Sequence, residues 1–415
     1  MLETYFSAPK TLKRLRTGPS APYIDGFATV LEETGYSPAS AVRYLRVAAH
    51  LGHFLHSRGV TFAEIDIGIS ETFRRHLPSC RCPQSNGGRI NHHTFFGVKR
   101  FHQYLVQLGV CPSDPAPTAE SDEPMFITGF RHWLEVHRGA AQPTLKQYCR
   151  GASELLEALG NDPHRWDPQQ LRAFFLDRSG RCGAGTAEKQ VTAVRAFLRY
   201  LIAQGRCRAD LDRAVPTLAH WRLAALPRSL TSEQVERVVA ACEGDSPRRI
   251  RDRAIILLLL RLGLRAGDVA GMRIADLEWD NATVRVSGKG RYEVRLPLPQ
   301  DVGDALLRYL ECRPGVARSD KLFICNITPF GPFASGDGVS SVVKRVLARA
   351  GVKAPAKGAH LLRHTAATEM LRQGVPLEQI GSVLRHRGVD TTAYYAKVDV
   401  VLLRQVAQPW PGVLR

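Results

Sequence analysis

The sequence predicts a mainly α-helical protein: two N-terminal helical bundles and a C-terminal domain that adds a small antiparallel β-sheet. Apolar residues recur at i, i+3, i+4 and i+7 spacing over most of the 415 residues, as in the segment 194–201. Alternation of apolar and polar residues is confined to 282–298, where it flanks Gly288-Lys289-Gly290 as in a β-hairpin. At ~150 residues per domain, the length indicates about three domains.

The charge balance indicates a polyanionic partner. The chain has 57 Lys and Arg against 39 Asp and Glu, a net charge of +18, and its 44% of hydrophobic residues predicts a folded protein. Residues 221–415 alone have an excess of +11, whereas 1–120 and 121–220 have +4 and +3. Phosphates are therefore expected to meet the last part of the chain first.

The sequence favours a cytoplasmic protein. Its longest strongly apolar stretch, 254–260, is far shorter than the ~20 residues of a membrane span and predicts a buried helix. Residues 1–16 lack the apolar segment of a signal peptide. Nine cysteines, scattered from Cys80 to Cys325, do not resemble a disulfide framework and agree with a reducing compartment.

Two N-terminal stretches resemble each other, which indicates a repeated helical bundle; chance similarity of two amphipathic segments is the alternative. Their first parts align at an offset of 103 residues and their last parts at 96. The main matches are Gly26-Phe27 with Gly129-Phe130, Leu31-Glu32 with Leu134-Glu135, Phe101 with Phe197, and Tyr104-Leu105 with Tyr200-Leu201.

Proline-rich segments at 111–124 and 215–230 divide the chain. The predicted domains are 1–115, 121–215 and 228–415. The third begins at a capping box formed by Thr231 and Gln234. Its helices are predicted to continue to about 277, and after the hairpin to cover 302–310, 339–350, 360–373, 377–384 and 391–406.

Polar residues whose side chains can take part in catalysis follow one another in the third domain in a set order. They are Arg265 in GLRAGDVAGM, Lys289 in the hairpin, His360 and Arg363 in HLLRHTAATEML, His386, and the pair Tyr394-Tyr395. This order resembles the tyrosine recombinase, or phage integrase, family, whose catalytic domain carries Arg, Lys, His-x-x-Arg, a second His or Trp, and a nucleophilic Tyr. Residues 228–400 carry the resemblance, and 121–215 resemble the family's helical core-binding domain.

The resemblance implies a site-specific DNA recombinase that cleaves and rejoins strands through a 3′-phosphotyrosine link, in integration or transposition of a mobile element. It implies a double-stranded recombination site as partner, with a homo-tetramer on DNA and a monomer or dimer free of it. Residues 1–115 would be an extra DNA-binding domain. A type IB topoisomerase-like activity and a non-catalytic architectural DNA-binding protein are the alternatives.

The residue types fit phosphoryl transfer. Arg363 and His360, three apart on a helix, share one face, which His364 can join one turn later. Arg265 would complete a clamp on the phosphate, since a guanidinium donates two hydrogen bonds and keeps its charge. A surface salt bridge is the alternative for either arginine.

The resemblance assigns the remaining roles. Tyr395 would attack phosphorus, with His360 as the candidate base. Lys289, near Arg291, would donate to the leaving oxygen, and an ordinary turn lysine is its alternative. His386 would donate to a phosphate oxygen.

Tyr395 rather than Tyr394 is predicted as the nucleophile, because it lies nine residues after His386, the family's spacing. Adjacent helical residues point about 100° apart, so only one can face the phosphate. Asp268 stands where the family places an acidic residue that orients the site. Family members usually carry Leu-Gly-His where this chain has Leu384-Arg385-His386, so Arg385 can add a DNA contact or disturb the helix junction.

Candidate phosphate contacts outside the catalytic set are basic residues: Lys146, Lys189, Arg195, Arg199 and Arg291. The apolar tail at 400–406 would dock on a neighbouring subunit, as in the family, or on its own domain. Cys80-x-Cys82 and His92-His93 lack zinc-finger spacing, and the sequence shows no phosphate-binding loop. No metal and no cofactor is expected.

Overall fold

The protein was analysed as a computed structural model, which confirms a mainly helical fold with a small antiparallel sheet. The structure describes residues 2–65, 72–73, 75–77, 80, 92–111, 125–217, 226–287, 293–315, 319–328, 330–386, 388–398 and 403–404. The chain forms two compact units, one of Met1–Pro112 with Ala225–Arg415, the other of Ser113–Ala224. None of the described helices is long and apolar enough to span a membrane.

The N-terminal bundle is built from α1 (Pro9–Thr17), α2 (Ala21–Glu33), α3 (Pro38–His56) and α4 (His92–Gln107), with short 3₁₀ turns at Leu2–Thr4 and Phe62–Glu64. Proline occupies the first turn of each of the first three helices, where its missing N–H costs nothing. Its core is one cluster of buried residues between Leu2 and Cys111.

The unit Ser113–Ala224 is a second bundle with α5 (Met125–Arg138), α6 (Gln142–Leu159), α7 (Pro168–Ser179) and α8 (Ala184–Ala203), and 3₁₀ turns at Pro163–Arg165 and Leu211–Ala214. Asp167 starts α7 with a capping box, accepting from the backbone N–H groups of Gln169 and Gln170 at 2.7 and 2.9 Å. Its buried residues, between Ile127 and Val215, form a core of their own.

The repeated residues occupy equivalent places in the two bundles. Phe27 packs on Phe101 with ring centroids 5.1 Å apart, and Phe130 packs on Phe197 at 5.0 Å. The matched tyrosines lie against the matched glycines. A Cβ on Gly26 would be 2.1 Å from the Tyr104 hydroxyl, and one on Gly129 would be 2.2 Å from the Tyr200 hydroxyl. Such close agreement makes chance similarity untenable as the reason for the sequence matches.

The C-terminal part places helices around a three-stranded antiparallel sheet. The helices are α9 (Ser232–Ala240), α10 (Pro247–Arg261), α11 (Ala266–Gly271), α12 (Gln300–Cys312), α13 (Gly336–Arg349), α14 (Ala359–Arg372), α15 (Leu377–Val383) and α16 (Val389–Ala396). The strands, in sheet order, are β1 (Leu277–Glu278), β2 (Thr283–Ser287) and β3 (Glu293–Pro297), and 3₁₀ turns cover Ile274–Asp276 and Trp279–Asn281.

The main core of this part surrounds α10. Residues 254–260 are all buried, as their apolar run predicts, and the core extends from Leu230 to Leu362. In the predicted hairpin, Ser287 pairs with Glu293 and Thr283 with Pro297. Its tip, Gly288-Lys289-Gly290 with Arg291, lies outside the described residues.

The last predicted helix differs from the observed one. It was expected over 391–406, but α16 ends at Ala396. Of the apolar tail, the structure describes Leu403, which is 44% exposed. The other apolar tail residues lie outside the described part of the chain, so the tail's docking stays a prediction.

The close contact between Gly129 and the Tyr200 hydroxyl can be tested by its effect on the free energy of unfolding. Gly129→Ala should destabilise the protein by about 1–3 kcal/mol, because the new methyl group overlaps the Tyr200 hydroxyl. Tyr200→Phe should restore most of the loss, since the nearest remaining ring atom is 3.4 Å away. Gly185→Ala, in α8 with nothing within 4 Å of its Cβ, is the matched control and should be neutral or stabilising. Urea unfolding measures all three, and equal effects of the two alanines would contradict the prediction.

Candidate active site

The described members of the predicted catalytic set come together around α14. This helix carries His360 and Arg363, while Arg265 precedes α11, His386 follows α15 and Tyr395 lies on α16. The grouping follows from tertiary packing of α14 against α10, α15 and α16. Lys289 and Arg291 lie outside the described residues, so their roles stay predictions.

Arg363 is buried, with 4% of its surface exposed, and backbone carbonyl groups hold its guanidinium. Nη1 donates to the Gly263 carbonyl at 2.5 Å, and Nη2 donates to the carbonyl of Leu384. Leu384 is the C-cap of α15, where helix carbonyls lack intrahelical partners. Gly263 has φ +57°, and a Cβ there would lie 2.5 Å from Leu384 Cδ2, so this close approach requires glycine.

Arg265 is held by the next carbonyl along the chain. Its Nη2 donates to the Arg385 carbonyl at 2.8 Å. Consecutive carbonyl groups of Leu384 and Arg385 therefore fix both predicted clamp arginines, Arg363 and Arg265. The two side chains lie close enough for the charge of Arg265 to help lower the pKa of Arg363 to about 10, an effect that burial dominates.

Arg385 adds a third guanidinium to this cluster. Its side chain is 8% exposed, and Nη2 pairs with the carboxylate of Asp268, which is 9% exposed. The same carboxylate accepts from the Arg265 backbone N–H at 3.2 Å. Within the described part of the chain, Nε and Nη1 of Arg385 are buried without a hydrogen-bond partner. Arg385 has a φ of +53°, a left-handed backbone conformation that costs a residue with a side chain about 1 kcal/mol. Glycine, which the family usually has at this position, would adopt it without strain.

Tyr395 is a buried tyrosine, 2% exposed, and its hydroxyl contacts a histidine. Its Oη is 2.7 Å from His364 Nδ1. Burial raises the pKa of Tyr395 to about 12, while Arg363 opposes that shift. Burial, with the charges of His360 and Arg363, lowers the pKa of His364 to about 4. At neutral pH the tyrosine is therefore protonated, and the neutral imidazole can accept a hydrogen bond from its hydroxyl.

The other two histidines flank this pair. The His386 ring stacks on Tyr395 at 6.2 Å, and its Nδ1 lies 2.8 Å from Thr392 Oγ1. Burial and the neighbouring arginines lower the pKa of His386 to about 4. His360 is exposed, with its ring 6.4 Å from that of His364. Desolvation and the charges of Arg363 and Arg265 lower its pKa as well.

Sequence reasoning named His360 as the candidate base, yet the histidine that contacts Tyr395 is His364. Its i, i+4 spacing from His360 was the available signal. The Tyr394 hydroxyl has another partner, since it donates to the Leu226 carbonyl at 2.9 Å. Both tyrosine rings lie near His364, at 5.9 Å for Tyr394 and 5.7 Å for Tyr395, but only the Tyr395 hydroxyl contacts its Nδ1.

The candidate phosphate contacts of the second bundle divide into two kinds. Lys146 and Lys189 are exposed on α6 and α8. Arg195 instead donates to the Val215 carbonyl at 3.1 Å, and Arg199 pairs with Asp212 at 3.1 Å. The structure therefore shows intramolecular partners for both arginines, and a DNA role for any of the four stays a prediction.

The site as a whole presents positive charge beside a tyrosine hydroxyl. Three guanidinium groups lie near one another, and one of them, that of Arg385, pairs with the Asp268 carboxylate. A cluster of arginines suits an anion with several oxygens, because a guanidinium can donate two parallel hydrogen bonds. Together with the tyrosine–histidine pair, it defines the class of tyrosine-dependent phosphoryl-transfer sites.

Comparison with known proteins identifies the family. The model of the phage integrase family matches residues 228–400. The integrase/recombinase y4rA of Sinorhizobium fredii is 34% identical over 418 residues, covering 99% of both chains. Tyrosine recombinase XerC of Thermodesulfovibrio yellowstonii is 29% identical over 288 residues, 68% of this chain and 94% of XerC.

The fold agrees with this. A crystal structure of XerH site-specific recombinase on its palindromic difH substrate matches with a TM-score of 0.55 at 19% identity, covering 81% of this chain and 93% of that one. The relatives thus show a tyrosine recombinase, and the fold is consistent with that class. The chain belongs to the phage integrase family and is a site-specific recombinase.

The Arg385–Asp268 pair should be strongly coupled. Asp268→Asn alone should destabilise the protein by about 3–5 kcal/mol, because it leaves a buried cation without its carboxylate. In an Arg385→Gly background, which also removes the left-handed strain, the same change should cost far less. The double-mutant cycle, measured by urea unfolding, should show a coupling above about 1 kcal/mol.

The exposed pair Arg261–Asp301, 2.8 Å apart, is the matched control for that cycle. Solvent screens it, so its coupling should stay below about 1 kcal/mol. Equal couplings for the two pairs would show that Arg385 contributes no more than a surface ion pair.

The site histidines make the protein sensitive to acid. The pKa values of His364 and His386 are lowered to about 4 in the folded chain, against ~6.5 when unfolded. The unfolded chain therefore binds more protons between these pH values, and stability falls as pH drops from ~6.5 towards ~4. His364→Gln should make the dependence of unfolding free energy on pH less steep over this range. Parallel curves for the two proteins would contradict the assignment.

Proposed function

We propose that the chain recombines double-stranded DNA with Tyr395 as the nucleophile. The contact between Tyr395 Oη and His364 Nδ1 at 2.7 Å, beside Arg363, carries this proposal. Phosphoryl transfer needs an attacking oxygen, a proton acceptor and positive charge for the non-bridging oxygens. The residues around α14 supply all of them.

Each step of the reaction breaks one phosphoester bond and forms another. Tyr395 Oη attacks the phosphorus and passes its proton to His364, and the bond from phosphorus to the 5′ oxygen breaks. The leaving 5′ oxygen takes up one proton, from Lys289, and becomes a 5′-hydroxyl, while the 3′ end stays attached to the enzyme as a 3′-phosphotyrosine. A 5′-hydroxyl from the partner strand then loses its proton and attacks the phosphotyrosine. The bond from phosphorus to Tyr395 Oη breaks, the tyrosine oxygen takes back a proton, and a DNA backbone is restored.

The remaining residues act on charge and proton transfer. Arg265 and Arg363 bind the non-bridging oxygens and stabilise the charge that grows there in the transition state. His360 and His386 supply further hydrogen bonds to the phosphate, and Lys289 protonates the leaving oxygen. The Asp268 carboxylate positions two arginines: it accepts from the backbone N–H of Arg265 and pairs with the side chain of Arg385.

The nucleophile is tested with a nicked suicide duplex that carries the target site. Tyr395→Phe should abolish the covalent adduct while target binding changes little, because it removes one oxygen. Tyr394→Phe is the matched control: it removes the hydrogen bond to the Leu226 carbonyl and should leave adduct formation largely intact. Denaturing gels measure the adduct and gel shifts measure the binding.

A covalent adduct that survives in Tyr395→Phe and disappears in Tyr394→Phe would overturn the assignment. A plasmid assay separates recombination from topoisomerase-like relaxation, since only recombination depends on two target sites. Binding without any adduct in the unmodified chain would favour an architectural DNA-binding protein.

We further propose a wider assembly. Residues 1–115 repeat the bundle of 121–215, so both would bind DNA, with four chains in the recombining complex. The S. fredii integrase/recombinase, 34% identical over 99% of this chain, supports a role in integration. The cytoplasmic location rests on the DNA substrate and stays a prediction.

A further inference from the structure

Two histidines and a cysteine converge in the N-terminal bundle, far in sequence from the recombinase site. They are His50 on α3, His76 and Cys80. His50 Nε2 lies 3.1 Å from Cys80 Sγ. One ligand atom from each of the three residues lies within 4.8 Å of those of the other two. From this geometry we infer a zinc site formed by His50, His76 and Cys80.

The distances fit one metal ion. Zinc binds nitrogen at ~2.0–2.1 Å and thiolate sulfur at ~2.3 Å in a tetrahedron, which puts its ligand atoms roughly 3.3–3.8 Å apart. The separation of His50 Nε2 from Cys80 Sγ, 3.1 Å, is just below this range, and the other two separations are at most 4.8 Å. A thiol–imidazole hydrogen bond would explain His50 with Cys80, whereas it gives no reason for a second imidazole to join them.

The donor set selects the metal. A thiolate with two imidazoles suits zinc, while magnesium and calcium prefer oxygen ligands. Binding deprotonates the Cys80 thiol, forms the zinc–sulfur bond and releases one proton to solvent. The three ligands leave one tetrahedral position for water or a further side chain.

The surroundings favour a fixed, structural ion. His50 is 7% exposed, and its ring packs edge-on against Phe73 at 5.1 Å. The His76 ring lies 4.9 Å from Phe54, which is 2% exposed. An apolar shell of this kind limits water and strengthens metal–ligand bonds. The ion would tie His76 and Cys80 to α3.

The spacing of these three residues in the sequence does not resemble that of a zinc finger. His50 and His76 lie 30 and 4 residues before Cys80. The sequence places Cys80 near Cys82 and His92-His93, a set without zinc-finger spacing for which no metal is expected. Cys82 and the side chains of His92 and His93 lie outside the described part of the structure.

Metal content of the full-length chain, purified without an affinity tag after growth with zinc, tests the site. Elemental analysis should find about one zinc per chain. Cys80→Ser and His76→Gln should lower this to near zero. Cys182→Ser, a half-buried cysteine of the other unit, is the matched control and should keep the metal. Loss in the first two variants with retention in the control supports the site.

Cobalt substitution of the unmodified chain gives a readout that does not depend on how the variants fold. Cobalt(II) should produce a thiolate-to-metal charge-transfer band with intense tetrahedral d–d bands, and zinc should displace it. Less than about 0.1 zinc per chain together with no thiolate band would overturn the inference. So would zinc retained at the full level in Cys80→Ser with normal circular dichroism.

Discussion

Two adjacent backbone carbonyl groups at the end of α15 organise the recombinase site. The Leu384 carbonyl accepts from Arg363 and the Arg385 carbonyl accepts from Arg265 at 2.8 Å. A helix C-terminus carries unpaired carbonyl groups and the negative end of the helix dipole, so it binds cations without adding a formal charge. The arginines are thus fixed in position while most of their positive charge remains available to a phosphate.

This choice of partner has an electrostatic reason. A carboxylate beside each arginine would neutralise the positive charge of the site. It would also compete with the substrate phosphate for the guanidinium groups. The chain instead places Asp268 on Arg385, whose Nε and Nη1 stay unpartnered among the described residues. The site therefore keeps positive charge. Burial is the main reason that the pKa of Arg363 is lowered to about 10, and the charge of Arg265 adds to the effect. A phosphodiester would relieve this repulsion when it binds.

Periodic patterns predicted the local structure well. The apolar run at 254–260 is a buried helix, and the alternating segment is a hairpin with Ser287 opposite Glu293. The order of motifs also indicated the family. These features depend on neighbours in sequence, for which spacing is a direct guide.

Contacts that depend on tertiary packing were harder to predict. Nothing in the spacing shows that His364 rather than His360 meets Tyr395, because both lie on the same face of α14. Arg385 stood out only as a departure from the usual glycine, and neither its left-handed φ nor its pairing with Asp268 follows from the motif. His50, His76 and Cys80 meet only because residues of α3 pack against Phe73 and His76.

The position of Tyr395 links the fold to the timing of the reaction. At 2% exposure and with a pKa of about 12, its hydroxyl is both covered and protonated in the chain without DNA. With Tyr395 as the nucleophile, as we propose, attack on a phosphate requires the hydroxyl to become accessible and to lose its proton. Arg363 and Arg265, the proposed phosphate ligands, both donate to carbonyl groups at the end of α15, which packs on α16. In the proposed mechanism, these two carbonyl groups would therefore connect phosphate binding to the position of Tyr395.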